Sequence, residues 1–110
     1  MFIFDKNFNS NKMAITKQFL KTKPVCKVTF TIAEADAKKV SVVGEFNKWN
    51  AKLNPLKKLK NGNFKGTIDL ETGKKYEFKY LVDGVHKNDE KADAYVYNDF
   101  AGTDNSVIEL

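Results

Sequence analysis

Along most of the chain, apolar and polar residues alternate with a period of two. Between positions 25 and 32, Cys26, Val28, Phe30 and Ile32 fall on one side, and Lys27, Thr29 and Thr31 on the other. That is the pattern of a strand with one buried face. Val40-Ser41-Val42-Val43 reads as a second strand. Asn61-Gly62 is a hairpin signal, and beyond it Phe64, Ile68 and Leu70 alternate with Lys65, Thr67 and Asp69. Thr72-Gly73 marks the next turn. Tyr76, Phe78, Tyr80 and Val82 then alternate with Glu77, Lys79 and Leu81, up to the two-residue turn signal Asp83-Gly84. Tyr95-Val96-Tyr97 and Ser106–Leu110 are late strand candidates. No long window carries a convincing helical period. Residues 12–22 (KMAITKQFLKT) come nearest, and are expected to form a short helix or an irregular lead-in. About six to eight short strands separated by regular turn signals predict an all-β, immunoglobulin-like antiparallel sandwich.

A chain of 110 residues with 42% hydrophobic and 13% aromatic content can bury one small core. The expected organisation is a single domain over 13–110. The asparagine-rich, unpatterned residues 1–12 are expected to be a disordered or appended extension. The net charge of +5 invites a nucleic-acid reading, but every basic residue is lysine. Arginine supplies the planar fork that grips phosphate and reads guanine edges. Here it is absent, and the lysines are interleaved with 14 acids, so a solvated surface is the better reading. Neither a secretory h-region nor an apolar run of membrane-spanning length is present in the sequence. The expectation is a cytoplasmic protein without a membrane partner. Cys26 stands alone, so no intrachain disulfide can form, and its strand setting predicts a small buried hydrophobe. One histidine and one cysteine far apart give no metal-ligand spacing, and no cofactor is implied.

Catalytic patterns are equally sparse. The glycines are isolated turn residues rather than a phosphate-cradling loop, and no serine sits in a nucleophile elbow. His86 has Asp83 and Asp89 nearby in sequence but no nucleophile to activate. The acids Asp83, Asp89, Glu90, Asp93, Asp99 and Asp104 are numerous enough to contain a glycosidase-like carboxylate pair. A small filled sandwich, however, offers no deep cleft to desolvate and tune them. They are expected to form a wet, turn-rich edge.

Three stretches taken together carry more information. VVGEFNKWN (42–50) is followed by YEFKYLVDG (76–84) and GTDNSVIEL (102–110). The combination of G-x-F-N-x-W with a downstream hydrophobic-V-D-G turn resembles the early-set, immunoglobulin-like domain of carbohydrate-binding module family 48. That family includes the glycogen-binding domain of the AMP-activated protein kinase β subunit and the N-terminal domains of isoamylases and glycogen branching enzymes. The likeness runs from about Val25 to Leu110, and is greatest to small stand-alone bacterial proteins described as isoamylase early-set domains, where a start like KPVCKVTF is typical.

In the kinase-subunit version the glucan surface uses two tryptophans, a lysine, an asparagine and a leucine. The resemblance places the first tryptophan at Trp49, the lysine at Lys79 and the asparagine at Asn105. The second tryptophan position is occupied by His86 and the leucine position by Ala101, which removes one stacking plate and one apolar wedge. The residues themselves are suited to these roles. Lys79 alternates with the apolar face of its strand and is expected to point to solvent. Asn105 both donates and accepts, as sugar hydroxyls do. Trp49, the only tryptophan, sits in a polar N-K-W-N loop and offers a flat apolar face, while Phe46 is expected to face the core.

The resemblance implies a non-catalytic module that binds α-glucan (glycogen, starch or malto-oligosaccharide) weakly, with avidity if the domain self-associates. The alternative is an interaction or scaffold domain that has lost sugar binding and serves a glucan-metabolising enzyme. Hydrolase or branching activity is the third class, disfavoured because no catalytic barrel accompanies the domain.

Overall fold

The computed structural model describes residues 13–34 and 36–110. The extension expected over 1–12 lies outside the described residues. Nine strands are described: β1 (Met13–Phe19), β2 (Val25–Ala33), β3 (Val40–Gly44), β4 (Lys57–Lys58), β5 (Asn63–Glu71), β6 (Lys75–Val82), β7 (Val85–Lys87), β8 (Ala94–Asn98) and β9 (Thr103–Glu109). They form two antiparallel sheets, one in the order β1-β2-β5-β4, the other β3-β6-β9-β8, with β7 added against β6. The all-β antiparallel sandwich is therefore as the alternation predicts.

The period-two residues meet between the sheets. Cys26, Val28, Phe30 and Ile32 from β2 face Val40, Val42, Phe78, Tyr80, Val82 and Ile108 from the other sheet. An aromatic cluster fills the centre, with Phe30 5.3 Å from Phe78 and 6.2 Å from Tyr80, ring centroid to centroid, in edge-on arrangements. Such tilted pairs set the negative ring faces against positive edges. Burial raises the Cys26 thiol above its ordinary pKa, consistent with a packing role.

The turn chemistry follows the sequence signals. Val82 and Val85 pair across Asp83-Gly84, and both turn residues have positive φ, at 48° and 87°. That is the backbone of a two-residue hairpin matched to strand twist. The Asp83 carboxylate also accepts hydrogen bonds from the backbone N–H groups of Lys39 at 2.7 Å and Lys38 at 2.9 Å. These hold it below the usual carboxylate range.

Two expectations are corrected. The segment nearest to a helical period contains strand β1, which pairs with β2 over seven positions, from Met13↔Ile32 to Phe19↔Cys26. A free edge of β2 offered backbone partners, and a marginal local helix preference does not compete with a full ladder. With the short strands β4 and β7, this raises the number of strands above the six to eight expected. The acids of 83–104 are also not uniformly wet. Asp89 is fully buried; its Oδ2 accepts a hydrogen bond from the Tyr80 hydroxyl at 2.5 Å and its Oδ1 one from Lys91 N–H at 2.7 Å. Its own N–H donates to Ser106 Oγ at 2.9 Å. Burial pushes the Asp89 carboxyl up, opposed by these hydrogen bonds, and the Tyr80 hydroxyl is pushed up in turn by burial and by Asp89. This pair pins the 88–93 connection to the core. Asp93 has a similar structural role: it pairs with Lys17 at 2.7 Å and accepts from Glu109 N–H at 2.7 Å.

Candidate functional site

The G-E-F-N-K-W segment is shaped residue by residue. Gly44 ends β3 in extended backbone, so its requirement is space. A Cβ there would lie 2.6 Å from the Glu77 carbonyl oxygen and 2.8 Å from Phe78 Cβ. A 3-10 turn over Glu45–Asn47 follows. Phe46 turns inward as expected, against Phe30 and Tyr76 at 6.3 and 6.1 Å. Buried Asn47 ties the loop together: its Oδ1 accepts from Gly44 N–H at 3.0 Å, and its Nδ2 donates to the Val42 carbonyl at 3.0 Å and to Asn54 Oδ1 at 2.6 Å. Lys48 and Trp49 then take left-handed conformations, with φ of 56° and 60°. The Trp49 N–H donates back to the Gly44 carbonyl at 2.9 Å. A bulky residue in that region is strained, and such strain persists where the surroundings over-determine it. Its effect is to leave the indole 40% exposed.

Trp49, Lys79, His86, Ala101 and Asn105 all line a single open depression of about 400 Å3. All five positions named from the sequence thus converge, although they come from the β3–β4 loop, β6, β7, the β8–β9 turn and β9. The register explains this. Phe78 pairs with Ser106, and Lys79 and Asn105 lie just beyond that pair on their strands. Leu81 pairs with His86 further along the same flank of β6, the flank opposite β3.

Lys79 corrects the expectation of a solvent-pointing side chain. It is only 6% exposed, like its cross-strand partner Val43 at 1%. This part of the outer sheet face is walled by loops rather than open to water. Among the described residues, none accepts a hydrogen bond from the Lys79 ammonium, and no fully buried side-chain nitrogen lacks a partner. The ammonium is therefore the part of Lys79 that opens into the depression, on a buried apolar stem.

Asn105 is buried and already oriented. Its Nδ2 donates to Glu77 Oε1 at 2.9 Å, and its Oδ1 lies 3.5 Å from Asn98 Nδ2. Glu77 is linked to the tryptophan loop, since its N–H donates to Glu45 Oε1 at 2.8 Å. His86 and Ala101 are exposed at the margin. The site thus combines a half-exposed indole, one cation and one fixed amide. Among the described residues, no serine or cysteine lines it, and the acids of 83–104 do not line it.

The structure adds Asn98, Phe100 and Thr103 to the lining, none of which was singled out from the sequence. Phe100 had one signal: an apolar residue inside a turn (N-D-F-A-G-T) with no alternation partner on either side.

Comparison with known proteins gives two findings. A family model describing the glycogen recognition site of AMP-activated protein kinase matches residues 26–110. The chain is also similar to the 1,4-alpha-glucan branching enzyme GlgB of Photobacterium profundum, at 34% identity over 76 residues. That match covers 68% of this chain and 11% of the enzyme's length.

Proposed function

Because the chain belongs to the family of the AMP-activated protein kinase glycogen recognition site, we propose that it is a non-catalytic module binding α-glucan chains in the depression around Trp49. The observation that carries this reading is the convergence of Trp49, Lys79 and Asn105, from three separate segments, on one concave surface. A sugar ring would lay its C–H face on the exposed indole. The Lys79 ammonium would donate to hydroxyls from a partly desolvated stem, and the Asn105 amide would contribute whatever capacity Glu77 and Asn98 leave. An open site with few contacts must overcome association entropy, so affinity for a single short chain should be weak. The similarity to a branching enzyme supports glycogen or a related branched glucan as the ligand, and a glucan-metabolising enzyme as the setting in which the module acts.

The test is affinity electrophoresis through glycogen-containing gels, together with tryptophan fluorescence on titration with maltoheptaose. Retardation and a saturable fluorescence change are expected. Unchanged mobility and unchanged fluorescence at millimolar oligosaccharide would refute the reading. Purified protein should release no reducing sugar from amylopectin.

One observation favours a second reading, an interaction domain. Strand β8 forms the end of its sheet and carries the exposed Tyr95, Val96 and Tyr97. An edge of this kind can pair with another chain. A stoichiometric partner recovered by pull-down and not displaced by glucan would favour it.

A further inference from the structure

We propose that Phe100 is a second stacking plate of the same site, supplied by the β8–β9 turn, and that the site is built to hold a linear oligosaccharide across two aromatic surfaces. This rests on the glucan-binding reading and goes beyond it, because residue 100 is not among the five positions that the resemblance supplied.

Phe100 is 100% exposed, the most exposed large apolar side chain among the described residues, yet it lines the depression that holds Trp49, Lys79 and Asn105. A fully exposed phenyl ring contributes nothing to the core. A bare aromatic on the wall of a concave surface marks a contact site rather than scattered surface apolarity.

The turn that presents it is fixed. Asn98 Oδ1 accepts hydrogen bonds from the N–H groups of Phe100 at 3.0 Å and Ala101 at 3.2 Å. The Gly102 N–H closes on the Asn98 carbonyl at 2.8 Å, with Gly102 at φ 72°. This is a side-chain-capped turn of the kind asparagine makes with the backbone following it. The Asn98 Nδ2 reaches Asn105 Oδ1 at 3.5 Å, and Asn105 is held by Glu77. The polar floor and the aromatic rim are therefore joined through one amide. With the backbone of the turn held, only the rotamers of the ring remain to be ordered on contact, which favours binding.

Phe100 also lies beside Ala101, one of the two positions where apolar contact is reduced, and it restores such contact from the adjacent residue. Trp49 and Phe100 stand on two different loops. Each can take a ring face of its own, so a chain of several glucose units should engage both plates, whereas a disaccharide engages one.

The experiment is calorimetric titration of wild type, Phe100→Ala and Phe100→Trp with maltose and with maltoheptaose, plus thermal unfolding of each. Phe100→Ala should weaken maltoheptaose binding about tenfold, the loss expected for one stacking contact. It should leave maltose binding and the melting temperature nearly unchanged, and Phe100→Trp should restore or exceed wild-type affinity. If wild type binds maltoheptaose and Phe100→Ala binds it equally well, the inference fails while the glucan-binding reading stands. An equal loss for both sugars would also overturn the two-plate arrangement. If wild type binds neither sugar, both proposals fall together.

Discussion

Trp49 is the residue on which strain and proposed contact meet, so its replacement by alanine and by glycine should separate the two. The indole is 40% exposed, leaving about 60% of its surface covered. Taking about 200 Å2 for a tryptophan side chain, that is about 120 Å2, or about 3 kcal/mol at 25 cal/mol/Å2. This is an upper bound, because the unfolded chain already covers part of that surface. Both substitutions lose this packing. They differ in backbone: at φ 60° an alanine keeps the left-handed penalty of about 1–2 kcal/mol, whereas glycine escapes it. Glycine gives back about 0.4–1 kcal/mol through unfolded-state entropy. Trp49→Gly should therefore be about 1 kcal/mol more stable than Trp49→Ala, a difference of about 4–8 °C in melting temperature for a domain of this size. Thermal unfolding followed by circular dichroism measures this. Glycogen affinity electrophoresis of the same two proteins measures function, and both should lose retardation alike. A Trp49→Gly variant less stable than Trp49→Ala would show that the left-handed backbone is not what this loop imposes. Retained retardation in either variant would remove Trp49 from the site.

Other outcomes follow from the same geometry. Lys79→Met keeps the buried stem and removes the ammonium; glucan binding should weaken by about 1.5–3 kcal/mol, the range for a charge-assisted hydrogen bond, with no loss of thermal stability, as read by titration and melting of one preparation. Gly44→Ala places a methyl 2.6 Å from the Glu77 carbonyl oxygen; overpacking of this kind typically costs about 1–3 kcal/mol, so denaturant unfolding should show a destabilisation of that size. Tyr80→Phe strips a donor from buried Asp89 and should lower stability by about 1–3 kcal/mol at neutral pH. The folded Asp89 carboxyl is raised, so its contribution is present below the ordinary carboxylate range and is lost as pH rises through the raised value. Wild type should therefore lose stability relative to Asp89→Asn as pH rises, in melting curves taken from about pH 4 to 7. The folded Asp83 carboxyl is lowered, so its contribution has the opposite sign: it is present above the ordinary range and lost as pH falls through the lowered value. Asp83→Asn should flatten the acid limb of melting curves extended down to about pH 2.

The sequence determined the sandwich, its inward face and its turns. Alternation with period two encodes which face of a strand is buried, and it placed Phe30, Phe78 and Tyr80 in the core. Asp83-Gly84 announced a turn because few residues accept positive φ there. The motif G-E-F-N-K-W marked Phe46 as inward and Trp49 as outward. The family resemblance carried by three of its stretches also supplied five candidate positions that the folded chain brings to one depression.

What it did not determine depends on contacts between segments distant in the chain. Strand β1 was hidden because its alternation is weak and its order comes from β2. The burial of Asp89 was hidden because a carboxylate enters a core only where partners wait, and Tyr80 and Ser106 are brought there by β6 and β9. Lys79 carries the alternation of an exposed residue, yet it is covered because walls from other elements stand over that face of the sheet. Phe100 has no periodic neighbour to give it meaning. Its position beside Trp49, Lys79 and Asn105 exists only once the β8–β9 turn and the β3–β4 loop meet over the same strands.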